Sequence, residues 1–351
     1  MSQLKTSRVG ERRLQAEIRR LADGGLLSLG YSEVDLRRIA PYTLRINRLK
    51  KAKKAVIPAH VYQRPEILIG VADFVGDSYK LAKDCSGVAA ERIVFCGVRF
   101  MAETAKILNP GKQVFLPAPN AGCSLADSIT ARDVRAVKRR HPGAPVVSYI
   151  NTTAEVKAES DVIVTSANAV KILRWMYGRH KRLIFLPDEW MGRNLARQLD
   201  KKAGQDIVFW DGKCIVHENF DSGSISVYRQ TYPGLRILAH AECSPALVRA
   251  VDFVGGTGDM MRYVRETKAP HYMLVTECGL GELARTELPD KRFIPMCRLC
   301  PYMKATTLEN ILETLVDPRP AQRIAVKSGV AGKARGAIER MFEIAEDSSP
   351  R

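Results

Sequence analysis

No apolar run in this 351-residue chain approaches the ~20 residues needed to cross a bilayer as a helix, so a helical membrane protein is excluded. The first residues carry Arg and Lys without an apolar stretch behind them, so no secretory signal is read and a cytosolic protein is expected. Acidic side chains are comparatively scarce, 38 against 55 Lys plus Arg, for a formal net charge of +17. The imbalance concentrates in the first 54 residues, where 14 basic side chains face 5 acidic ones and the run R-L-K-K-A-K-K closes the segment. No aromatic interleaving and no known nucleic-acid motif accompanies it, so a solvated helical surface is preferred and nucleic acid is not an expected partner. A positive field also suits small polyanionic substrates. Only one C-x-x-C is present, Cys297 with Cys300, which disfavours an all-cysteine, four-ligand zinc site. Eight Cys without secretory context read as reduced thiols with ligand or redox roles, not as a disulfide scaffold.

What the chain does have is a threefold repeat. Apolar runs begin at Val56 (V-I-P-A-H), Val146 (V-V-S-Y-I) and Arg236 (R-I-L-A-H), at steps of 90 residues. A second run follows in each unit, V-A-D-F-V-G-D-S from Val71, D-V-I-V-T-S-A-N from Asp161 and V-D-F-V-G-G-T-G from Val251. A third contains Phe95, Phe185 and Val275, and each unit closes on a cysteine: Cys123, Cys214 and Cys300. Three like units around a pseudo-threefold axis bring three equivalent loop ends to one point, where three thiolates make a metal or cluster site.

Short β-branched runs alternate with helix-like stretches such as Met101 to Leu108 and Glu189 to Leu199. That pattern predicts an α/β fold of three repeated α/β/α parallel-sheet domains, with the cluster at the centre. The expected division is a basic helical segment over 1–54, repeats over 55–145, 146–235 and 236–316, and a C-terminal helix and tail over 317–351. Ligands bind beyond the carboxyl ends of parallel strands. His60, Tyr62, Ser78, Tyr149, Asn151, Ser166, His240, Glu242 and the three cysteines all fall at such ends.

Three thiolate ligands leave a metal position open to substrate, whereas a fourth would make the site structural or electron-transferring. Gly122 and Gly212 beside two of the cysteines suit close backbone approach to a bulky ligand. Cys297 reads as a bystander or redox partner, and Cys85, Cys96, Cys243 and Cys278 read as small buried hydrophobes. His60 and His240 share a repeat register, with Ile150 as the middle equivalent, and Tyr62 matches Glu242. These groups can serve as general acids and bases. Ser78, Asn151, Ser166 and Thr257 either cap helices or hold phosphate and carboxylate oxygens.

At these residues the chain resembles the quinolinate synthase family. The matching stretches are A-H-V-Y-Q-R-P-E-I (59–67), V-A-D-F-V-G-D-S (71–78), V-F-C-G-V-R-F-M-A-E-T-A-K-I-L-N-P (94–110), A-G-C-S-L-A-D (121–127) and S-Y-I-N-T-T-A-E-V-K-A (148–158). T-S-A-N-A-V-K-I (165–172), C-I-V-H-E (214–218), T-E-C-G (276–279) and C-P-Y-M-K (300–304) follow in order. The resemblance implies a [4Fe–4S] cluster on Cys123, Cys214 and Cys300, with the fourth iron open to substrate as a Lewis acid. It implies condensation of iminoaspartate with dihydroxyacetone phosphate to quinolinate, phosphate and water, in NAD biosynthesis, with an L-aspartate oxidase as a candidate imine supplier. His60, Tyr62, Tyr149, His240 and Glu242 would be the acid/base groups. His60, Ser78, Tyr149, Asn151, Ser166, His240, Glu242 and Thr257 would contact substrate. The chain departs from the family pattern at Ala241, where Pro is common, and at Gly256-Thr257-Gly258, where G-S-T-S gives Ser on either side of Thr. Loss of one hydrogen bond at Gly256 is expected to weaken binding or turnover roughly 2–13-fold. A divergent iron–sulfur paralogue acting on another small anion, or a basic nucleic-acid-binding protein with a structural cluster, are the alternatives.

Overall fold

The computed structural model describes residues 8–347, so the two ends of the expected terminal segments, 1–7 and 348–351, lie outside it. Within those bounds the chain folds as three parallel sheets flanked by helices. The first holds β1 (Ala55–Val56), β2 (Pro58–His60), β3 (Phe74–Gly76), β4 (Arg92–Val94) and β5 (Gln113–Phe115). The second holds β6 (Val146–Tyr149), β7 (Val162–Val164), β8 (Leu183–Leu186) and β9 (Ile207–Phe209). The third holds β10 (Arg236–His240), β11 (Phe253–Gly255), β12 (Tyr272–Glu277) and β13 (Cys297–Arg298).

The strand order repeats. The second and third sheets run β7-β6-β8-β9 and β11-β10-β12-β13. The first follows the same plan, with its opening strand split: β1 pairs with β4, β2 pairs with β3, and an Ala59–Cys96 bridge joins the parts. The strands are short and mostly apolar, and β6, β7, β8 and β12 are buried at every residue. Strands covered on both faces by helices need no polar alternation.

One polar device recurs in each sheet. Asp73, Asp161 and Asp252 accept a hydrogen bond from the amide that opens the neighbouring strand, at Ile57 (2.8 Å), Val146 (2.7 Å) and Ile237 (2.8 Å). Their own amides donate back to the carbonyls of the same three residues. This reciprocal pair sets the register between the first two strands of each unit. The register also corrects one expectation. His60 pairs with Gly76 and His240 with Gly255, and the matching position of the second sheet is Tyr149, opposite Val164, not Ile150.

The basic segment forms two helices, Arg8–Asp23 and Glu33–Ala52. Ser32 and Asp35 close a capping box that starts the second, which buries Leu36, Ile39, Ala40, Thr43, Ile46 and Lys50 at helical spacing. Together with Leu308–Val316 the pair packs against the first sheet, so much of the basic segment is a helical cover. Lys50 folds inward and donates to Asp73 Oδ1 at 2.7 Å and to the Val71 carbonyl at 2.6 Å. The last helix, Ser328–Glu346, lies within the expected C-terminal segment and contains Gly329 and Gly332 in its first two turns. It lies against Ala154–Ala158, Arg99–Leu108 and β7 and thereby joins the first two units.

Asp161→Ala leaves the buried end of β6 with an unpaired amide. It is expected to lower unfolding free energy by about 1–3 kcal/mol, with Asp161→Asn closer to wild type, as read by urea denaturation.

Candidate active site

The carboxyl ends of all three sheets face one cavity. Its lining includes Cys123 from the first unit, Cys214 from the second and Cys300 from the third. The three cysteines occupy the same local structure. Each starts a single helical turn, at Ser124–Asp127, His217–Asn219 and Met303–Ala305. Each carbonyl accepts from the amide four residues on, at Asp127 (2.9 Å), Glu218 (2.9 Å) and Lys304 (3.0 Å). Each sulfur receives two backbone amides, from the residues two and three positions later: Leu125 and Ala126, Val216 and His217, Tyr302 and Met303. Amides aimed at sulfur favour thiolate over thiol. Without metal, burial outweighs them: Cys123 is pushed up to about 12, and Cys214 and Cys300 are also raised.

Polar ties hold these turns in place. Ser124 Oγ accepts from the Ile215 amide at 3.2 Å and donates to the Lys213 carbonyl at 3.1 Å, joining the Cys123 and Cys214 loops. Glu277 accepts from the Cys300 amide at 3.2 Å and pairs with Lys304 at 3.3 Å, whose Nζ donates to the Tyr62 carbonyl at 2.8 Å.

The sequence-predicted acid/base groups lie in the same cavity. His60 and His240 each end a strand, and each accepts at Nδ1 from the amide two residues on, Tyr62 (3.2 Å) and Glu242 (3.4 Å). Both neutral rings therefore carry their proton on Nε2. Burial pushes His60 down to about 3 and His240 down to about 4, so both are neutral near pH 7. Tyr149 donates to Glu242 Oε1 at 2.5 Å. Burial alone would raise the Glu242 carboxyl, but the His217 and His240 rings and the bonds from His217 and Tyr149 outweigh it and hold the group well below the usual carboxylate range. Burial raises the Tyr62 and Tyr149 phenols well above their ordinary range.

Three helix starts complete the lining. Ser78 opens Ser78–Ser86, Thr257 opens Thr257–Glu266, and Ser166 precedes Ala169–Tyr177. Their amide-rich ends favour anionic groups. Asn151 Oδ1 and Thr165 Oγ1 are buried in this lining without a hydrogen-bond partner among the described residues, as expected of groups that await a ligand.

His217, in the C-I-V-H-E stretch, also lines the cavity, although no local pattern predicts it there. Its Nδ1 is 2.9 Å from Glu242 Oε2 and 3.2 Å from Cys214 Sγ, and its ring stacks on His240 at 4.7 Å. Cys214, His217 and Glu242 could by themselves surround a cation. Their donors and acceptors already satisfy one another, so a cation there would have to break those bonds. The three amide-supported sulfurs have no such internal partner in one another, and soft sulfur donors suit an iron–sulfur group.

Other expectations change. Cys278 and Cys297 form a disulfide, so the thiols are not all reduced, Cys278 is not a simple buried hydrophobe, and Cys297 does not pair with Cys300. The cause is the β12–β13 pairing, Thr276 opposite Cys297, which places Cys278 beside it. Gly212 is needed for another reason than a ligand: a Cβ there would lie 2.4 Å from the Pro187 carbonyl oxygen. At Gly122 a Cβ would meet only ordinary contacts. A Cβ at Gly256 would lie 2.6 Å from Ser166 Oγ, so the Ser166 hydroxyl occupies the space that a serine at 256 would claim.

Comparison with known proteins agrees with this geometry. The family described as quinolinate synthetase A protein matches residues 44–343. Quinolinate synthase of Caulobacter vibrioides is 45% identical over 314 residues, 89% of this chain and 84% of that protein. Quinolinate synthase of Sinorhizobium fredii is 45% identical over 305 residues, 87% and 83% of the two chains. Quinolinate synthase 2 of Mesorhizobium japonicum is 47% identical over 296 residues, 84% and 89%. The chain belongs to the quinolinate synthetase A family. These matches favour neither the divergent paralogue nor the nucleic-acid-binding alternative. No helix among the described residues is long and apolar enough to cross a membrane.

Two outcomes are expected. Gly256→Ser displaces Ser166 and lowers activity about 2–13-fold, the weight of one hydrogen bond, where a restored contact would raise it. The metal-free protein has its highest melting midpoint between about pH 6.5 and 9, the ordinary values of His and Cys. Below that window the unfolded chain binds protons that buried His60 and His240 refuse until about 3 and 4. Above it the unfolded chain releases thiol protons that Cys123 holds until about 12. A midpoint that rises from pH 7 to pH 5 in scanning calorimetry contradicts this assignment.

Proposed function

We propose that this chain, as a quinolinate synthetase A family member, is a quinolinate synthase that condenses iminoaspartate with dihydroxyacetone phosphate to quinolinate, phosphate and water. The observation that carries the reading is the repeated cysteine turn: three sulfurs, each with two backbone amides, at one cavity that also holds the Glu242 carboxylate and two phenols. Cys123, Cys214 and Cys300 would hold a [4Fe–4S] cluster. Bound there by three cysteines, it would leave one iron to polarise a substrate hydroxyl or carboxylate as a Lewis acid.

The chain's own groups do the rest. Ser78, Ser166, Thr257 and Asn151 hold the phosphate and carboxylates, and the helix starts beneath them supply oriented amides. His60 and His240, neutral with Nε2–H, donate hydrogen bonds to substrate oxygens without adding net charge. Tyr149 and Tyr62 keep their protons at neutral pH and present hydroxyl groups to substrate. Glu242, ionised, is the base that accepts a proton in the isomerisation and dehydration steps and returns it to a leaving hydroxyl. The repeats over 55–145, 146–235 and 236–316 act as three domains around a pseudo-threefold axis, each contributing one cysteine. An L-aspartate oxidase is the fitting source of the unstable imine, and the cytoplasm the fitting compartment.

Anaerobic purification with iron and sulfide counting and a quinolinate assay on one sample tests the reading. About four irons per chain with quinolinate formed is expected. Cys123→Ser is expected to lose both. Zinc, or no metal with full activity, overturns it.

A further inference from the structure

Asn is a poor choice for the interior of a helix, because its short amide competes for nearby backbone groups. Asn194 nevertheless sits inside Glu189–Gln198, 5% exposed, beside Met191, Leu195 and Ala196. It lies outside the cavity lining. What it holds explains its place. Its Nδ2 donates to the Ala241 carbonyl at 2.9 Å and to the Cys243 carbonyl at 2.9 Å, the two carbonyls that flank Glu242. Its Oδ1 is buried without a hydrogen-bond partner among the described residues. Reversing the amide would press that oxygen against two carbonyl oxygens, so the clamp itself fixes the orientation.

Related clamps back the other two loops. In the second unit the fully buried Lys157 donates from Nζ to the carbonyls of Ile150, at 2.8 Å, and of Thr152, which flank Asn151. In the first, Lys304 Nζ donates to the carbonyls of Tyr62, at 2.8 Å, and Gln63, at 3.4 Å. Tyr62, Asn151 and Glu242 hold one repeat position, two residues beyond the register-matched strand ends His60, Tyr149 and His240. Each of these cavity-lining side chains is thus backed by one side-chain nitrogen that gathers adjacent carbonyls. Lys157 acts within its own unit, whereas Asn194 reaches from the second unit to the third.

The third loop has the greatest need of such a restraint. Ala241 stands where Pro is common in the family, and alanine leaves φ free where proline would fix it. Its counterparts each make a backbone bond to the neighbouring strand: the Val61 amide donates to Gly76 at 3.1 Å and the Ile150 amide to Val164 at 2.8 Å. The Ala241 amide makes no such bond among the described residues.

We propose that Asn194 is a positioning residue for the reaction: by holding the Ala241 and Cys243 carbonyls it fixes the turn that presents the Glu242 carboxylate to the cavity. This rests on the quinolinate synthase reading for its kinetic test, but not for its exchange test.

Asn194→Leu keeps the side-chain volume and removes the donor. In cluster-loaded protein it is expected to lower kcat about 10-fold or more with KM within about threefold, since a base displaced by about an ångström loses alignment while substrate contacts elsewhere persist. Ala241→Pro has no backbone bond to lose and follows a residue that already ends a strand. Added to Asn194→Leu, it is expected to restore kcat to within about threefold of wild type by removing the same freedom from the turn.

Hydrogen exchange read by mass spectrometry on the same samples supplies a second readout. Asn194→Leu is expected to speed exchange of the Glu242 and Cys243 amides about 10-fold or more while β6 exchanges as in wild type, and Ala241→Pro is expected to slow it again. Asn194→Ser, too short to span both carbonyls, gives the same readouts if the leucine variant does not fold. Unchanged kcat, a loss confined to KM, exchange raised equally in β6, or no rescue by proline overturns the proposal. If the exchange changes appear as expected but wild type makes no quinolinate, the functional reading fails and the clamp on the Glu242 turn stands.

Discussion

The structure depends on one buried charge. Glu242 is 4% exposed, and an ionised carboxylate removed from water costs several kcal/mol unless hydrogen bonds replace its hydration. Those bonds come from outside its own sheet. Tyr149 reaches it from the end of β6, and His217 from the turn that begins at Cys214. The charge of Glu242 is therefore stabilised by side chains from outside its own sheet. Thr276 carries the same network on to Tyr62 in the first unit. The bonds that stabilise the Glu242 charge also bring the proposed acid/base groups together, so the fold and the proposed chemistry share one support.

The cysteine turns place a second charge problem beside the first. Three thiols in one apolar-walled cavity are driven toward their protonated forms by burial, yet each sulfur is met by two amides. Such a set is frustrated without metal and satisfied once cations compensate the thiolates. His217 links the two arrangements, since its Nδ1 lies within reach of both Cys214 Sγ and Glu242 Oε2. Protonation around Glu242 and the charge on Cys214 are in this way neighbours through a single ring nitrogen.

Much of this was legible in the residues. Short, largely apolar runs at 90-residue steps marked the opening strands of the three sheets, and the cysteine closing each unit marked the shared cavity. All twelve residues expected at the site, Thr257 among them, line this one cavity. What escaped depended on pairing across space. Counting residues made Ile150 the partner of His60 and His240, whereas strand register makes it Tyr149. The Cys278–Cys297 disulfide joins residues 19 apart through the adjacency of β12 and β13, which a C-x-x-C spacing obscured. His217 stood three residues after a recognised cysteine, but its partners Glu242 and Thr276 are 25 and 59 residues away. The space at Gly256 is set by Ser166, which no local pattern connects to it.

The central claim is that three sulfurs, one from each unit, share a single metal group while Glu242 and His217 stay free of it. A crystal structure of the anaerobically iron-loaded protein tests this most directly. The account predicts a cluster bonded to Cys123, Cys214 and Cys300, with His217 still hydrogen-bonded to Glu242. A metal held by Cys214, His217 and Glu242, with Cys123 and Cys300 unligated, would contradict it.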